Sequence, residues 1–591
     1  MKHEFAVDPI TLAVVKGSLE QIVDEMDAII VRAAFSSVIA EQKDRASGIF
    51  HPISGEVVAQ GSSTLPVFMT AMQFSVQAVL AEAERRGGMK PGDVYIMNDP
   101  YLGGTHLPDV KLMAPVFRGK RIVAILSACG HFNDIGGSTP GGFAPSATEI
   151  LQEGLIIKPT PLYREGVQQE DFLALMLGNM RVPEERRGDI EAIISALNVG
   201  LGRFGALLDR YGESTVIECF EELTDRSEQH MRSLLSAIPQ GTVEFEDAVD
   251  NDGHVDRPLT IRLKVTFDKD RVVFDFTGSS PPARGPVNMP RLTTIAACQI
   301  AMKHIFPEIP VNGGCFRPFE YVIPADTFLG ASHPYPMSGY TEPVARTIST
   351  VFGALAQIMP DRVPGDCFGT TGILTFSGIH PRKKDYYVML FPAAGGYGGS
   401  PQSDGLVNGP TALGAANYPS VEAVEHKVPV RVERLAIREN SGGAGRRSGG
   451  CGTSYAYRIL EGEVAAVVLG DRRSFPPFGV SGGGKAAGME VFFETGEGRE
   501  TLPFVTKGRR ILSAGDRVEM LTPGGGGYGD PLEREPDAVL RDVALGYIDA
   551  ATAREAYGVV LTESADDLGI VSRAIDASAT DALRRDRAAR Q

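Results

Sequence analysis

The sequence predicts an α+β protein with several domains, and three observations indicate this fold class. Apolar residues recur at helical spacing near the N-terminus, from Leu12 to Ile30. Alternating, strand-like segments follow without the regular β–α alternation of a doubly wound sheet. The 68 glycines fall in clusters, many of them between residues 386 and 530. We therefore expect N-terminal helices, mixed and antiparallel sheets, and a glycine-rich, β-like C-terminal half.

Local signals place the individual elements. Asp8-Pro9 is typical of a helix start, because a carboxylate caps the helix and proline fits its first turn. Two strand-like runs, Lys111–Phe117 and Arg121–Cys129, flank Arg118-Gly119-Lys120 and predict a β-hairpin. Apolar periodicity predicts further helices over Val67–Arg86, Pro183–Tyr211, Glu213–Ala237, Leu292–Ile305 and Pro343–Ile358.

The length of 591 residues exceeds what one hydrophobic core supports, so the chain should divide into several units. We predict five regions from the composition and the element pattern. They are an N-terminal metal-site region (1–165), a helical hairpin region (166–240), an α+β middle domain (241–385), a glycine-rich β-like domain (386–534) and a helical C-terminal tail (535–591).

Composition excludes several classes of function. The net charge of -16 argues against a nucleic acid or an anionic membrane as partner, because both repel an acidic protein. The six cysteines are scattered and form no C-x-x-C pair, so neither a disulfide framework nor a thiolate metal site is expected. The N-terminus has no apolar signal core, and no run reaches the ~18 apolar residues of a membrane span. These features predict a cytoplasmic protein.

A cluster of histidines and aspartates is the strongest candidate site. His106, Asp109, His131 and Asp134 lie within 29 residues of a chain that has only ten histidines. Imidazole nitrogens and carboxylate oxygens bind zinc, manganese or iron(II). The predicted hairpin would carry both halves of the cluster at the same end. Such residues can also serve merely to satisfy turn backbones, but the rarity of histidine and the flanking glycines favour a metal site.

Other acidic residues near this cluster are candidates for supporting roles. Asp44 and Asp99 are each candidates for a fourth ligand or for a group that orients a ligand, and Asp99 is also a catalytic candidate. Asp134 and Glu149 are candidate general bases for a water that the metal activates. The residues alone leave these roles open.

Three glycine-rich segments resemble phosphate-binding loops to different degrees. Gly479–Lys485 has the spacing of such a loop, but Ala486 replaces the hydroxyl residue that would bind magnesium, so we interpret it as a turn. Thr522–Pro531 could form a nest of backbone amides for an anion, although a tight loop is the more common outcome. The same alternatives apply to Ser441–Gly445.

The motifs together resemble the hydantoinase B/5-oxoprolinase family, also called N-methylhydantoinase B, over nearly the whole chain. This family is related to the acetone and acetophenone carboxylase subunits. The motifs that carry the resemblance are Asn98-Asp-Pro, Gly103-Gly-Thr-His-Leu-Pro-Asp109, His131-x-x-Asp134-x-Gly-Gly137, Glu149-Ile-Leu-Gln-Glu-Gly154, Asp275-Phe-Thr-Gly278, Ser441-Gly-Gly-Ala-Gly-Arg446 and Pro523-Gly-Gly-Gly-Gly-Tyr-Gly-Asp-Pro531.

The resemblance implies a B-type subunit that works with a hydantoinase A-type ATPase subunit. The partner would use ATP and Mg²⁺ to phosphorylate a cyclic amide or a ketone. The B-type subunit would then hydrolyse the activated ring or, in the carboxylases, carboxylate the enol phosphate. The family's ligands for one divalent metal ion, zinc or manganese and possibly iron, would fall on His106, Asp109 and His131, with Asp44 as a further ligand.

Two departures from the family pattern bear on the substrate. Phe68 stands where cyclic-amide hydrolases usually have histidine, and Pro392–Ser400 lacks the acidic residues of many relatives. An aromatic or less polar substrate would fit these changes. Three hypotheses follow from the resemblance: a subunit of an ATP-dependent cyclic-amide hydrolase, a subunit of an ATP-dependent ketone carboxylase, and a non-catalytic scaffold that only holds the ATPase.

Overall fold

The structure, a computed structural model, describes residues 7–414, 416–504, 506–565 and 571–589. Helices and separate antiparallel and mixed sheets make up these residues, so the predicted α+β class is confirmed. The helices are α1 Pro9–Ala33, α2 Ser37–Ala40, α3 Pro66–Arg85, α4 Glu170–Gly178, α5 Pro183–Tyr211, α6 Glu213–Ser236, α7 Arg291–Ile305, α8 Thr341–Leu355, α9 Val421–Lys427, α10 Pro536–Ala544, α11 Ala550–Tyr557 and α12 Ala577–Ala588.

The strands of the N-terminal half form two sheets. The first is antiparallel, in the order β2-β1-β5-β4-β3-β6-β7, and the second has the order β11-β10-β9-β8 with one parallel pair, β10–β11. The strands are β1 Arg45–Phe50, β2 Val57–Gln60, β3 Val94–Met97, β4 Asp109–Arg118, β5 Arg121–His131, β6 Thr160–Arg164, β7 Val167–Gln168, β8 Gly241–Val249, β9 Leu259–Asp268, β10 Arg271–Asp275 and β11 Phe319–Val322.

The C-terminal half contributes two further sheets and a short hairpin. Their orders are β13-β12-β16-β19, β14-β15-β20-β17-β18 and β21-β22. The strands are β12 Ile373–Ile379, β13 Tyr386–Phe391, β14 Val430–Ile437, β15 Thr453–Ile459, β16 Glu463–Leu469, β17 Glu490–Thr495, β18 Gly498–Glu500, β19 Lys507–Ser513, β20 Arg517–Leu521, β21 Leu561–Ala565 and β22 Val571–Ile575.

The N-terminal elements form where the sequence predicts them. Asp8 caps α1 by accepting a hydrogen bond from the Thr11 amide, and the helix buries the apolar stripe from Leu12 to Ile30. The predicted hairpin is β4–β5, with Asp109 directly opposite His131. Helix α5 packs against α1 and this sheet. By length and composition, α5 is the one helix in the described residues that could cross a membrane, a test that the core helix of a globular protein also passes.

The sheets cross one predicted boundary, and the predicted helical tail also contains strands. The boundary between 385 and 386 separates β12 from β13, which are hydrogen-bonded neighbours in one sheet. Strand β12 lies in one sheet with β13, β16 and β19 of the C-terminal half. Helix α3 of the N-terminal region shares one apolar core with α7 and α8 of the middle region. The tail contains the predicted short helices, but it also contains the β21–β22 hairpin.

The glycine-rich segments pack backbone against backbone. The amides of Gly525, Gly526 and Gly527 donate hydrogen bonds to the carbonyl oxygens of Gly450, Asp366 and Gly484. These amides already have partners, so this part of Thr522–Pro531 forms a packed loop and not an anion nest. Glycine is required here because no side chain fits between the segments: a Cβ on Gly526 would lie 1.8 Å from the Phe478 carbonyl oxygen.

We expect Gly526→Ala to lower the free energy of unfolding by about 3 kcal/mol or more, because the added methyl group forces the Gly526 and Phe478 backbones apart. Chemical unfolding followed by circular dichroism measures the change. Gly202→Ala is the matched control, since no atom lies within 4 Å of its Cβ position in α5. That variant should be neutral or more stable by about 0.5–1 kcal/mol. Equal midpoints for the two variants would contradict the packing argument.

Candidate metal centre

The β4–β5 hairpin brings three predicted ligands together. Asp109 is the first residue of β4 and His131 the last residue of β5, so their direct pairing places both side chains at one end of the hairpin. His106 lies three residues before β4, and the Asp109 amide donates to its carbonyl oxygen in a tight turn. All three residues are buried. The pairing of β4 with β5, together with the turn before β4, therefore brings the three residues together.

The ligand atoms of the cluster converge on one point. Oδ1 of Asp109 lies 3.1 Å from Nε2 of His106 and 2.9 Å from Nδ1 of His131. The two imidazole nitrogens are 3.2 Å apart. Ligand atoms at about 2.1 Å from one cation, at tetrahedral or octahedral angles, are about 3.0–3.4 Å apart. The spacing of the three atoms fits a single divalent cation.

The carboxylate of Asp109 is held in one orientation. Oδ2 accepts hydrogen bonds from the hydroxyl groups of Thr105 and, at 3.4 Å, of Tyr340. Burial raises the pKa of Asp109, but the charges and hydrogen bonds of His106 and His131 outweigh it and hold that pKa well below its usual range. Asp109 is thus a fixed anion whose Oδ1 faces the two imidazoles.

A hydrogen bond from the far side selects the tautomer of His106. Its Nδ1 lies 3.1 Å from the carbonyl oxygen of Ser338, which can only accept, so Nδ1 carries a proton. Without a cation, Nε2 can also carry a proton and donate it to Oδ1 of Asp109; with a cation bound, Nε2 would be unprotonated and its lone pair would face the metal. Metal-binding histidines typically have such a carbonyl partner on the other nitrogen.

A buried glutamate supports this carbonyl group. Glu153 accepts hydrogen bonds from the amides of Met337, at 2.9 Å, and Ser338, at 2.7 Å. Its exposed fraction is 1%. Burial raises the pKa of Glu153 to about 8, although the bonds from these amides lower it. Glu153 therefore fixes the loop whose Ser338 carbonyl positions His106.

Two buried atoms beside the cluster lack a hydrogen-bond partner. They are Nε2 of His131 and Oδ1 of Asp44. Burial raises the pKa of Asp44 to about 6, while His131 lowers it and Asp109 raises it. Buried polar atoms without partners cost free energy unless something else binds them. Together with the converging ligands, the Asp44 oxygen fits a divalent cation better than a closed hydrogen-bond network, whereas Nε2 of His131 points away from the atoms that Nδ1 faces.

The cluster forms one wall of a small cavity of about 50 Å³. Asp44, His106, Asp109 and His131 lie on this wall, next to Phe143 and Tyr340. The opposite wall comes from α3 and from residues of the C-terminal half, and it is mainly apolar. A small molecule in this cavity would touch the cluster on one side and hydrocarbon on the other.

The three predicted catalytic acids do not face this cavity. Asp134 is buried, but its carboxylate is bound to the Arg181 guanidinium at 2.8 Å and to the Arg181 amide at 2.7 Å. Glu149 is exposed to solvent. Asp99 caps the turn Pro100–Leu102 and lines a different, larger cavity. None of the three lines the cavity beside the cluster, and their catalytic roles stay predictions.

The sequence missed three residues that shape the centre. Glu153, Ser338 and Tyr340 contact the cluster or its supporting loop. Glu153 lies in the motif Glu149–Gly154, and the glutamate directly before the glycine was the available signal. Ser338 and Tyr340 come from more than 200 residues further along the chain, and no local pattern marks them.

Fold and site together define a large α+β protein with a buried cluster of two histidines and one aspartate. The family model described as Hydantoinase B/oxoprolinase matches residues 8–531. The chain belongs to this family, which confirms the resemblance drawn from the motifs.

Solved structures and a curated relative agree with this membership. The B component of a putative D-/L-hydantoinase of Pseudomonas sp. (strain NS671) is 30% identical over 94% of this chain and 96% of its own length. The ATP-dependent caprolactamase of Pseudomonas jessenii superposes with a TM-score of 0.89, at 31% identity, over 98% of this chain and 100% of that one. A nucleotide-free acetone carboxylase has the same fold. It superposes with a TM-score of 0.90, at 18% identity, over 99% of this chain and 84% of that one. The prediction of an enzyme is confirmed by these relatives.

We expect Glu153→Gln to weaken the pH dependence of stability. A carboxyl group whose pKa rises from 4.5 to about 8 on folding binds its proton more tightly in the folded state. The unfolding free energy of the wild type should therefore fall as pH rises from about 5 to about 8, and the glutamine variant should lack this part of the decrease. Urea unfolding at both pH values measures it. Glu149→Gln, at an exposed neighbour, is the control, and parallel curves for wild type and Glu153→Gln would contradict the argument.

Proposed function

We propose that this chain is the metal-dependent B-type subunit of an ATP-dependent cyclic-amide hydrolase of the hydantoin, oxoproline or lactam kind. It acts on an intermediate that an A-type ATPase subunit has phosphorylated. The observation that carries the proposal is the convergence of His106, Asp109 and His131 on one point beside a small, mainly apolar cavity. Membership of the family and the name of the hydantoinase relative, which is one component of a larger enzyme, support the partner.

The residues of the chain have separate roles in this proposal. His106, Asp109 and His131 hold one divalent cation, zinc or manganese and possibly iron, and Asp44 is a further ligand beside them. When bound, such a cation polarises a substrate oxygen and lowers the pKa of water toward ~7. Thr105, Tyr340 and Ser338 hold the ligands in place.

The reaction divides between the two proteins. The partner uses ATP and Mg²⁺ to phosphorylate the lactim oxygen, which makes the ring carbon electrophilic. In the cavity, one water adds to that carbon, and the ring C–N bond breaks with a proton going to nitrogen, which leaves an acyl phosphate. A second water then attacks the acyl carbon, the bond to phosphate breaks, and the carboxylate and free phosphate form. The mainly apolar wall limits the number of water molecules beside the reacting carbon. Six buried free thiols support a reducing cytoplasm as the compartment.

The purified chain should contain close to one divalent metal ion, measured by elemental analysis. His106→Ala and His131→Ala should each lower the metal affinity by at least about 100-fold, because each removes a ligand from a preformed site. His230→Ala, at an exposed position of α6, is the matched control and should keep the metal. Full metal content in both ligand variants would contradict the proposed centre.

Asp44→Asn tests the fourth position. A ligand role predicts that the variant loses metal affinity by about tenfold or more, because the neutral amide is a weaker ligand than the carboxylate. Titration of the metal-free protein with Zn²⁺ and Mn²⁺ measures this affinity. An unchanged affinity with lost turnover would instead make Asp44 a proton acceptor.

The reconstituted complex distinguishes the hydrolase from the two alternatives. We expect ring opening that requires ATP and both proteins but does not require bicarbonate. A strict need for bicarbonate would identify a component of a ketone carboxylase instead. Unchanged turnover in the His106→Ala and His131→Ala complexes would identify a non-catalytic scaffold.

A further inference from the structure

The wall opposite the cluster has a composition that restricts the substrate. Its side chains include Leu65, Val67, Phe68, Ile373, Leu390 and Leu413, each at most 5% exposed. None of the described residues that line the cavity is a lysine or an arginine. Carboxylates of Asp44 and Asp109 already face the cavity, so its lining carries negative charge and no side-chain cation.

The nearest cationic side chains are occupied elsewhere. Arg45 follows Asp44 in the chain, but its guanidinium pairs with Asp27 at 2.8 Å and bonds to Ser63. The buried Lys111 ammonium lies behind the cluster and donates to the Asp109 carbonyl oxygen at 3.2 Å. Neither residue lines the cavity. The wall therefore offers no cationic side chain that could pair with a negative charge on a substrate.

A buried charge without a partner is costly. Moving a carboxylate from water into an apolar surrounding costs several kcal/mol unless an opposite charge and hydrogen bonds replace its hydration. The side of the cavity that would hold the cation can offset the charge of one anionic group, the activated oxygen. The apolar wall cannot offset a second one.

One polar atom on the wall remains available for a neutral group. The Oγ1 atom of Thr371 is buried, lines the cavity and has no hydrogen-bond partner. Its backbone amide is held by Glu342, which also accepts from the Thr370 hydroxyl. Among the other lining threonines, Thr341 donates its hydroxyl to Glu342 and Thr411 accepts from the Leu413 amide, so Thr371 is the lining threonine whose hydroxyl group has no partner at all. The Thr371 hydroxyl can both donate and accept, so it suits an amide N–H or a carbonyl oxygen.

We propose that the cavity selects uncharged, mainly apolar lactams or ketones and rejects substrates that carry a carboxylate, with Phe68 and Thr371 as the specificity-determining residues. This proposal rests on the proposed function of the same site. Phe68 supplies hydrocarbon where a carboxylate would need a cation, and Thr371 supplies a neutral polar contact. Among the ring substrates named for the family, the proposal favours a lactam without a carboxylate over 5-oxoproline.

A matched pair of ligands tests the rejection of carboxylates, which we call the charge rule, without any turnover. 5-Oxoproline and 5-oxoprolinamide have the same ring and nearly the same size, and only the first carries a negative charge. Calorimetric titration of the full chain, freed of metal by a chelator so that no cation can bind the carboxylate, should show the amide binding at least about 100-fold more tightly than the acid. Equal or tighter binding of the acid, or no binding of either compound, would overturn the proposal.

Variants of the two residues test the assignment. Phe68→Lys places an ammonium group on the wall and should reduce the preference for the amide by at least about tenfold. Phe68→Met is the neutral control of similar volume and should keep the preference. Thr371→Val should weaken binding of the amide by about three- to tenfold, and Thr371→Ser should restore it. An unchanged preference in Phe68→Lys, or unchanged amide affinity in Thr371→Val, would overturn the role of that residue.

Turnover separates this inference from the proposed function. A complex that opens the ring of 5-oxoproline as fast as that of its amide would keep the hydrolase and overturn the charge rule. A chain that binds the amide selectively, in a complex that opens no lactam ring, would contradict the hydrolase and leave the charge rule in place.

Discussion

The pairing of Asp109 with His131 across the β4–β5 hairpin is the constraint on which the site depends. Side chains alternate between the two faces of a strand, so a shift of one residue in this register would move His131 to the other face and away from Asp109. The register is held by buried apolar residues along both strands and by β1, which pairs with β5 on the other side. The centre is therefore as rigid as the core of the N-terminal sheet.

Buried charges join α8 and β8 of the middle region to the C-terminal half. Arg346 of α8 is fully buried and pairs with Asp471 and Asp247, and Lys507 also reaches Asp471. Burial raises the pKa of Asp471, but Arg346 and Lys507 outweigh it and lower that pKa to about 2. Such a network adds little net stability compared with an apolar core, but breaking one partner is costly, so it specifies a unique arrangement. That arrangement places Thr371 and β12 in the same cavity wall, facing His106, Asp109 and His131.

Features that depend on neighbouring residues could be predicted from the sequence. The Asp8 cap, the helical stripe of α1 and the β4–β5 hairpin are local, and the hairpin was enough to predict that His106, Asp109 and His131 meet. The direction in which a side chain points, and its partners from distant parts of the chain, could not be predicted. Asp134 follows His131 closely, yet its carboxylate turns to Arg181, and nothing near it indicates an arginine 47 residues later. Glu149 and Glu153 share one motif, and only the packing of the Met337–Ser338 loop shows which of them is buried.

The cavity is built from two distant parts of the chain. As a result, ligand spacing and substrate selection depend on different residues. The ligands of the centre come from one hairpin and the loop before it, whereas much of the selective wall comes from β12, β13 and the segment around Leu413. Substitutions on the wall can therefore change which substrate fits without altering the spacing of the ligands. Tyr340 and Ser338 are the exceptions, because they belong to the distant half of the chain and yet orient Asp109 and His106. Movement of the segment before α8 would thus reach the ligands directly, and Glu153, which fixes that segment through the Met337 and Ser338 amides, limits this movement.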